Sequence, residues 1–322
     1  MTAGPSKGFA VDSAPLVGGS GCLPCSEPPR SFAVPSSMPL AADPSLPPLT
    51  RPIVAAAVLA VLWIAEGMVP MFLGRTRRAG HAARHIALAA INAGALALVF
   101  AGATLAVSAW ATARGFGVLR LVELPAWAHW ALALVLIDLW QYAWHRLNHR
   151  VPILWRFHAV HHSDAEMDAS SGVRFHTGEI VLSGLARLAV LPAIGATVEH
   201  VALYELIVTP IVLFHHSNIR VPRRLDRVLR LIIVTPWMHW VHHSRWQPET
   251  DSNYSSGLSV WDRLFGTFRL RDDPRTISLG LDGYDGERSN TLVGMLWSPA
   301  RKAPAPEPST GANAPAKDER AA

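Results

Sequence analysis

The stretch IALAAINAGALALVFAGATLAVSA, residues 86–109, contains no charged side chain. A run of about 20 apolar residues is long enough to cross the hydrocarbon core of a bilayer as a helix. Four more apolar runs occupy residues 52–73, 125–144, 179–197 and 199–216. We therefore predict an all-α protein: an integral membrane helical bundle with about four to five membrane-embedded helices and a histidine-rich helical cap on the cytoplasmic side.

The composition supports a membrane protein and gives no sign of a nucleic-acid-binding one. Half of the 322 residues are hydrophobic and only 16% are charged. The formal net charge is +5, but the arginines lie in short loops beside apolar runs and form no basic face interleaved with aromatic residues. We expect lipid headgroups as their partners and no nucleic acid. Cys22 and Cys25 have no second pair to complete a zinc site, so we predict no structural role for them.

The arginines also predict an orientation. The loop between the first two runs carries Arg75, Arg77, Arg78 and Arg84. Short loops rich in Lys and Arg stay in the cytoplasm, so counting spans puts the dense histidine clusters on that side, at the inner membrane if the protein is bacterial. His129 and His200 fall on the opposite side. Arg187 lies inside the fourth run, where a cation is costly unless paired, so a re-entrant run is the alternative there.

Three histidine clusters have helical spacing. They are HRLNH with His145 and His149, HAVHH with His158, His161 and His162, and HWVHH with His239, His242 and His243. Spacings of three and four place side chains on one face of a helix, so each cluster directs its imidazoles to a common point. Eight imidazoles exceed the four ligands of a tetrahedral zinc ion, which favours a binuclear metal site. Imidazole alone does not distinguish Fe, Cu, Zn and Ni.

Other interpretations of the clusters are weaker. Histidines that merely satisfy backbone groups would not repeat the HxxHH pattern, and a pH sensor does not need helical spacing in three segments. A zinc protease of the HExxH type needs a glutamate where Arg146 stands.

Polar residues inside the apolar runs leave alternatives open. Asp138 and Gln141 share the helical face of His145, one or two turns deeper in the membrane. We predict that both side chains orient a metal ligand. For Asp138, a polar position in the substrate pocket and packing between helices are also open. For Glu66, a substrate cavity and structural pairing are equal alternatives.

With these residues the sequence resembles the sterol desaturase / fatty acid hydroxylase superfamily of membrane-bound non-haem di-iron oxidases. The similar segment extends from about Asp138 to Phe268. Its motifs are LWRFHAVHHSD, MDASSGVRFHTGE, HHSN, VTPWMHWVHHS and TDSNYSSGLSVWDRLFGTFR. The resemblance implies two iron ions held by the eight clustered histidines.

The resemblance also implies roles for residues outside the clusters. His216 would be a ninth ligand, and His176 and His215 are further candidates. Asp262 would be structural or would orient a ligand. Thr177 stands where family members commonly have proline, which leaves the path of this loop open.

The resemblance implies an oxidoreductase that hydroxylates a lipid-like substrate, such as a fatty acyl chain, sterol, hopanoid or carotenoid, with O2 as co-substrate. No nicotinamide, flavin or haem motif occurs, so we expect an external electron donor: a cytochrome b5-like protein, a ferredoxin or a reductase. Desaturation of a sterol or lipid by the same site is the alternative. A membrane metal transporter and a zinc-dependent lipid hydrolase are less favoured.

We predict four regions along the chain. Residues 1–50 form a disordered, proline-rich tail, residues 51–124 an N-terminal transmembrane hairpin, and residues 125–272 a fatty acid hydroxylase-like di-iron catalytic domain. Residues 273–322 form a C-terminal tail that is mostly disordered after about residue 300.

Overall fold

The computed structural model describes residues 1, 2, 4, 50–75 and 77–300. The predictions for most of the N-terminal tail, including Cys22 and Cys25, and for the chain from residue 301 onward lie outside the described residues. The described residues form helices and loops and contain no β-strand. The all-α prediction is confirmed.

The α-helices of the described part are α1 (Thr50–Met68), α2 (Arg78–Ala113), α3 (Ala126–Arg150), α4 (Pro152–His162), α5 (Thr177–Ile194), α6 (Val198–His216), α7 (Arg223–Leu229), α8 (Pro236–His242), α9 (Gln247–Thr250), α10 (Val260–Leu264) and α11 (Leu292–Trp297).

Four of these helices, α1, α2, α5 and α6, are long and apolar enough to cross a membrane. This confirms an integral membrane helical bundle. Helix α3 is not among the four. It begins in the predicted apolar run but continues to Arg150 through a polar half that carries His145 and His149.

A short turn joins helices α5 and α6. Helix α5 ends at Gly195, whose φ of +88° is a left-handed conformation that glycine adopts without a Cβ clash. The Thr197 N–H donates to Nδ1 of His200 at 3.1 Å and thereby caps the start of α6. Arg187 donates to Glu205 at 2.9 Å, and α5 runs through Arg187 as one continuous helix. Pairing reduces the cost of the cation in the span.

The end of α1 is joined to two loops by the buried carboxylate of Glu66. Its Oε1 accepts hydrogen bonds from the N–H groups of Ala169 at 2.7 Å and Asn218 at 2.8 Å. Its Oε2 accepts from Arg78 at 2.8 Å. Of the two alternatives predicted for Glu66, the structure shows structural pairing, because the carboxylate is bonded to two backbone N–H groups and to Arg78.

Helix α2 fixes the segment that follows α4. The ring of His81 lies between two carboxylates, with Nε2 2.9 Å from Asp164 and Nδ1 3.1 Å from Asp168. Asn92 donates to the carbonyl of Phe175 at 2.8 Å. Helix α2 therefore holds the segment 164–177 from one side.

Helix α8 and the segment 273–300 pack on Met167 of this segment and on α2 and α4. One buried cluster contains Met167, Trp240, Val241, Ile277 and Leu279, and a second contains Leu88, Val160 and Met295. Side chains between residues 273 and 300 are thus part of the core.

Candidate metal centre

The candidate site lies where four helices end. Helix α3 supplies His145 and His149 near its C-terminus, and α6 supplies His216 as its last residue. Helix α4 supplies three histidines in its last two turns, and α8 with the residue that follows it supplies three more. The spacings of three and four place the imidazoles of the three sequence clusters on the inward faces of α3, α4 and α8.

The structure brings nine histidines together in two groups. The five-histidine group contains His145, His149, His158, His162 and His242. The four-histidine group contains His161, His216, His239 and His243. Within each group, one potential ligand atom from each residue lies within 4.8 Å of all the others. The side chains are enclosed by the protein.

Neighbouring Nε2 atoms are very close. The separation is 3.1 Å for His145 and His158, and 3.0 Å for His145 and His242. In the four-histidine group, three such pairs are separated by 3.0 to 3.2 Å. Two imidazole nitrogens bound at right angles to one metal ion, each about 2.1 Å from it, lie about 3 Å apart.

The hydrogen bonds at Nδ1, the other ring nitrogen, show whether a close Nε2 pair is a hydrogen bond or two facing lone pairs. Nδ1 of His145 lies 2.8 Å from the carbonyl oxygen of Tyr254, and Nδ1 of His158 lies 2.9 Å from Oε1 of Glu179. Both oxygens only accept, so each Nδ1 carries the proton and each neutral ring presents a lone pair at Nε2. Two lone pairs face each other at 3.1 Å, which is unfavourable unless a cation lies between them.

The same pattern recurs in both groups. Nδ1 of His242 lies 2.6 Å from the carbonyl oxygen of Ser252. Nδ1 of His161 lies 3.3 Å from that of Arg174, and Nδ1 of His216 lies 2.7 Å from that of Val212. The donor set therefore fits a metal ion in each group.

Burial keeps the rings in the form that binds metal. Desolvation lowers the pKa of His161, His162, His239 and His243 well below the usual value, and neighbouring imidazoles lower it further. Desolvation lowers the pKa of His242 to about 3. These imidazoles are neutral near pH 7, which is the state a metal ligand requires.

Several ring nitrogens in the groups are buried without a hydrogen-bond partner. They are both nitrogens of His149 and of His162, and Nδ1 of His239 and of His243. Buried polar atoms are almost always satisfied, and an unsatisfied one commonly marks a water or ion site. His149 also has Nδ1 3.4 Å from Asp251.

Two further predicted candidates lie outside both groups. His176 is the N-cap of α5: its Nδ1 accepts from the N–H of Gly178 at 2.8 Å, and its Nε2 lies 3.0 Å from the carbonyl oxygen of Leu296. Both of its nitrogens are occupied. The ring of His215 lies 4.0 Å from that of His239, but no nitrogen of His215 belongs to either group.

The predicted supporting residues differ in what they touch. Asp138 accepts from Tyr204, Trp261 and the N–H of Leu258, and none of these partners is a histidine. Gln141 accepts from Arg187 at 3.5 Å.

Asp262 acts on the site through the backbone. Its carboxylate accepts from the N–H groups of Tyr254 at 2.7 Å and Ser255 at 3.0 Å. The carbonyl of Tyr254 is the group that orients His145. Asp262 therefore fixes the loop that holds this imidazole.

Sequence reasoning missed Glu179 and Asn148. Glu179 accepts from His158, and Asn148 donates to the same carboxylate oxygen at 3.2 Å. A carboxylate that orients a ligating histidine is a recurrent feature of metal sites. The only signal for Glu179 was its place in the motif RFHTGE, because helical spacing does not reveal partners from another helix.

A third group, formed by His81, His85 and Asp168, is compact enough to hold a metal ion. Its ring nitrogens, however, already have hydrogen-bond partners. His81 is bonded to carboxylates on both nitrogens. His85 has Nδ1 2.9 Å from the Ser170 hydroxyl and Nε2 2.9 Å from the Arg174 guanidinium. A metal ion there would displace a cation that is already bonded, so these residues fit a structural network.

The fold and the site define an integral membrane protein with a histidine-rich candidate metal centre. Residues 130–267, which contain all nine grouped histidines, match the family model described as fatty acid hydroxylase. The chain is 32% identical over 152 residues to the ornithine lipid hydroxylase OlsE of Rhizobium tropici, covering 47% of this chain and 45% of that protein. These matches support the predicted resemblance of this segment to the sterol desaturase / fatty acid hydroxylase superfamily.

Two human proteins are also similar. Alkylglycerol monooxygenase is 32% identical over 163 residues, covering 48% of this chain and 34% of that protein. Cholesterol 25-hydroxylase is 24% identical over 148 residues, covering 45% of this chain and 53% of that protein. The chain thus spans about half or less of the length of these relatives. No solved structure matches the chain significantly.

Proposed function

We propose that the protein is a membrane-bound oxygenase that hydroxylates a lipid-like substrate at a centre of two iron ions, using O2 and external electrons. One observation carries the proposal: in both histidine groups the lone pairs of neighbouring Nε2 atoms face each other. A cation bound in each group would remove this repulsion. The names of the relatives support the substrate class, since they specify ornithine lipid, alkylglycerol and cholesterol.

The five-histidine group would hold one ion and the four-histidine group the other. Iron suits imidazole ligands, and when bound it supplies the activation of O2 that an unactivated C–H bond requires. The chain's own residues keep the imidazoles neutral, enclosed and oriented. Tyr254, Glu179 and Ser252 fix the rings of His145, His158 and His242 through their Nδ1 protons.

The centre lies at the end of α6, a candidate membrane span, so the proposed site would have the bilayer on one side and the aqueous phase on the other. A lipid chain can approach from the bilayer between the helices, while the enclosing cap excludes bulk water. A soluble or membrane-bound electron donor, of the cytochrome b5, ferredoxin or reductase type, can approach from the aqueous side.

The sidedness of the site and the division of the chain into regions are proposed from the sequence. Arg75 and Arg77 before α2, and Arg78 and Arg84 in its first turns, favour a cytoplasmic histidine side by the positive-inside rule. Residues 51–124 would form the N-terminal transmembrane hairpin and residues 125–272 the catalytic domain.

Desaturation is the alternative outcome at the same site. Both reactions start with abstraction of a hydrogen atom, and they differ in whether oxygen is then added or a second hydrogen atom is lost. The proposal does not choose among fatty acyl chains, sterols, hopanoids and carotenoids as the substrate. A transporter would need ligands at mid-membrane depth, whereas these groups lie at helix ends.

The test compares lipids from cells that express the wild type, His161→Ala, His242→Ala or His129→Ala under isotopically heavy O2. We expect a lipid that gains one heavy oxygen atom with the wild type and His129→Ala. The two site variants should lose this product and retain less iron, because each removes a ligand. His129 is a suitable control because its ring packs beside His200 at the far end of the bundle, 5.3 Å away.

Three results would refute the proposal. They are product formation by protein without transition metal, unchanged iron in both site variants, and turnover without O2. The last result would favour a zinc-dependent hydrolase. A lipid that loses two hydrogen atoms without gaining oxygen would select desaturation.

A further inference from the structure

A ridge formed by residues 223–232 and 257–265, here called the α7–α10 ridge, exposes a row of large apolar side chains. They are Leu225, Val228, Leu231, Ile232, Val260, Leu264 and Phe265. Leu231 and Leu264 are each 66% exposed. A contiguous apolar surface of this kind marks a site of interaction with a protein or a membrane.

The two parts of the ridge form one continuous surface. The N–H of Ser259 donates to the carbonyl of Ile232 at 3.0 Å, and the guanidinium of Arg263 donates to the carbonyl of Arg230 at 2.7 Å. The backbone therefore holds α10 beside the turn that follows α7.

The ridge is attached to α3 and α6 well below their histidine ends. The N–H of Leu258 and Nε1 of Trp261 donate to Oδ2 of Asp138 at 3.0 and 2.7 Å. Tyr204 donates to the other oxygen of Asp138 at 2.7 Å. At a rise of 1.5 Å per residue, Asp138 lies about 10 Å along α3 from His145, and Tyr204 about 18 Å along α6 from His216.

Gly257 shows how closely the ridge is seated. A Cβ at this position would lie 2.4 Å from Oδ1 of Asp138 and 3.4 Å from a methyl group of Val208. The backbone of the ridge thus packs against α3 and α6, at a depth where α6 is a candidate span. Apolar side chains exposed at this depth face hydrocarbon and not water.

The exposed charge of the ridge is positive. Arg223, Arg224, Arg227 and Arg263 are exposed. The two acidic residues are buried: Asp226 accepts from Thr235 at 2.6 Å, and Asp262 accepts backbone N–H groups. Arginines beside an apolar face are typical of elements that lie in the headgroup region of anionic membranes.

We propose that the α7–α10 ridge is embedded in the leaflet on the histidine side, with its apolar side chains among acyl chains and its arginines at the phosphates of acidic phospholipids. The depth of Leu258 and Trp261 favours the bilayer over a protein partner, because a partner in the aqueous phase would not reach this level. The inference does not depend on metal or turnover.

The test places an environment-sensitive label on the ridge. Cys22→Ser and Cys25→Ser remove the two cysteines of the sequence. Leu231→Cys, Leu264→Cys and Glu287→Cys are then labelled singly with nitrobenzoxadiazole in nanodiscs of phosphatidylcholine and phosphatidylglycerol. Glu287 is the control because its side chain is 93% exposed.

We expect blue-shifted emission at Leu231 and Leu264 that spin-labelled lipids quench and iodide does not. The label at Glu287 should show the opposite pattern. Water-like emission at both ridge positions, quenched by iodide as at Glu287, would overturn the proposal and indicate a surface for a protein.

A second arm tests the arginines with a label at Val228→Cys. Spin-labelled phosphatidylglycerol should quench this label more than spin-labelled phosphatidylcholine does. The triple variant Arg223→Gln, Arg224→Gln, Arg227→Gln should lose the difference. Equal quenching by the two lipids in the parent protein would overturn the assignment of acidic phospholipid.

Discussion

At the scale of single residues, the hydrogen bond on Nδ1 determines what each histidine can do. His145 and His158 donate from Nδ1 to fixed oxygens and turn Nε2 toward the group. His176 instead accepts a backbone N–H on Nδ1 and serves as a helix cap. The same residue type is thus a candidate ligand in one place and a structural residue in another.

Glu179→Gln should weaken metal binding by about tenfold or more, because the charged acceptor of the His158 proton is lost. Metal retained during titration with a chelator measures the effect. Glu199→Gln is the matched control, since Glu199 lies in the first turn of α6, at the other end of that helix from His216. Equal metal retention by the two variants would show that Glu179 does not orient a ligand.

The sequence predicts the histidine groups better than it predicts their partners. Spacings of three and four are local and identify the eight clustered histidines directly. The oxygen that orients each ring comes from a distant segment: Tyr254 for His145 and Glu179 for His158. No periodicity connects such pairs, so only the folded chain reveals them.

At the scale of elements, α3 shows how the sequence and the structure differ. The apolar run predicts a membrane-embedded helix, and α3 forms there but continues into the site. Asp138 is costly in a lipid-facing helix, and it is stabilised by donors from α6 and the α7–α10 ridge. Hydropathy does not predict this stabilisation of Asp138, because the donors lie far away along the chain.

Gly257→Ala should destabilise the protein by about 1–3 kcal/mol, the usual effect of overpacking a closely packed site. The added methyl group would have to displace Asp138 or the ridge backbone. Gly94→Ala is the control, because nothing lies within 4 Å of a Cβ there. Thermal unfolding in nanodiscs measures both variants, and equal unfolding temperatures would contradict the close packing.

At the scale of the whole molecule, burial of so many imidazoles couples stability to pH. Desolvation lowers the pKa of His162, His239 and His242 in the folded protein, whereas the unfolded chain titrates near its ordinary pKa of about 6.5. Below that pH the unfolded state binds more protons than the folded state, so the free energy of unfolding falls as the pH falls.

Metal-stripped protein should therefore unfold at a lower temperature at about pH 5.5 than at about pH 7.5. Thermal unfolding of the stripped protein in nanodiscs checks this. His129→Ala should show the same pH dependence, since His129 lies outside both groups. An unfolding temperature that stays constant or rises on acidification would mean that the imidazoles are not kept neutral by burial.

The hydrogen bonds of Glu66 limit how far the protein can be shortened at its N-terminal side. A fragment confined to residues 130–267 would retain all nine grouped histidines but would lack the carboxylate that accepts the N–H groups of Ala169 and Asn218. Each buried amide N–H that loses its acceptor lowers the free energy of unfolding by about 1–3 kcal/mol. A minimal working version therefore has to include α1, because the segment that matches the family model does not contain all of its own hydrogen-bond partners.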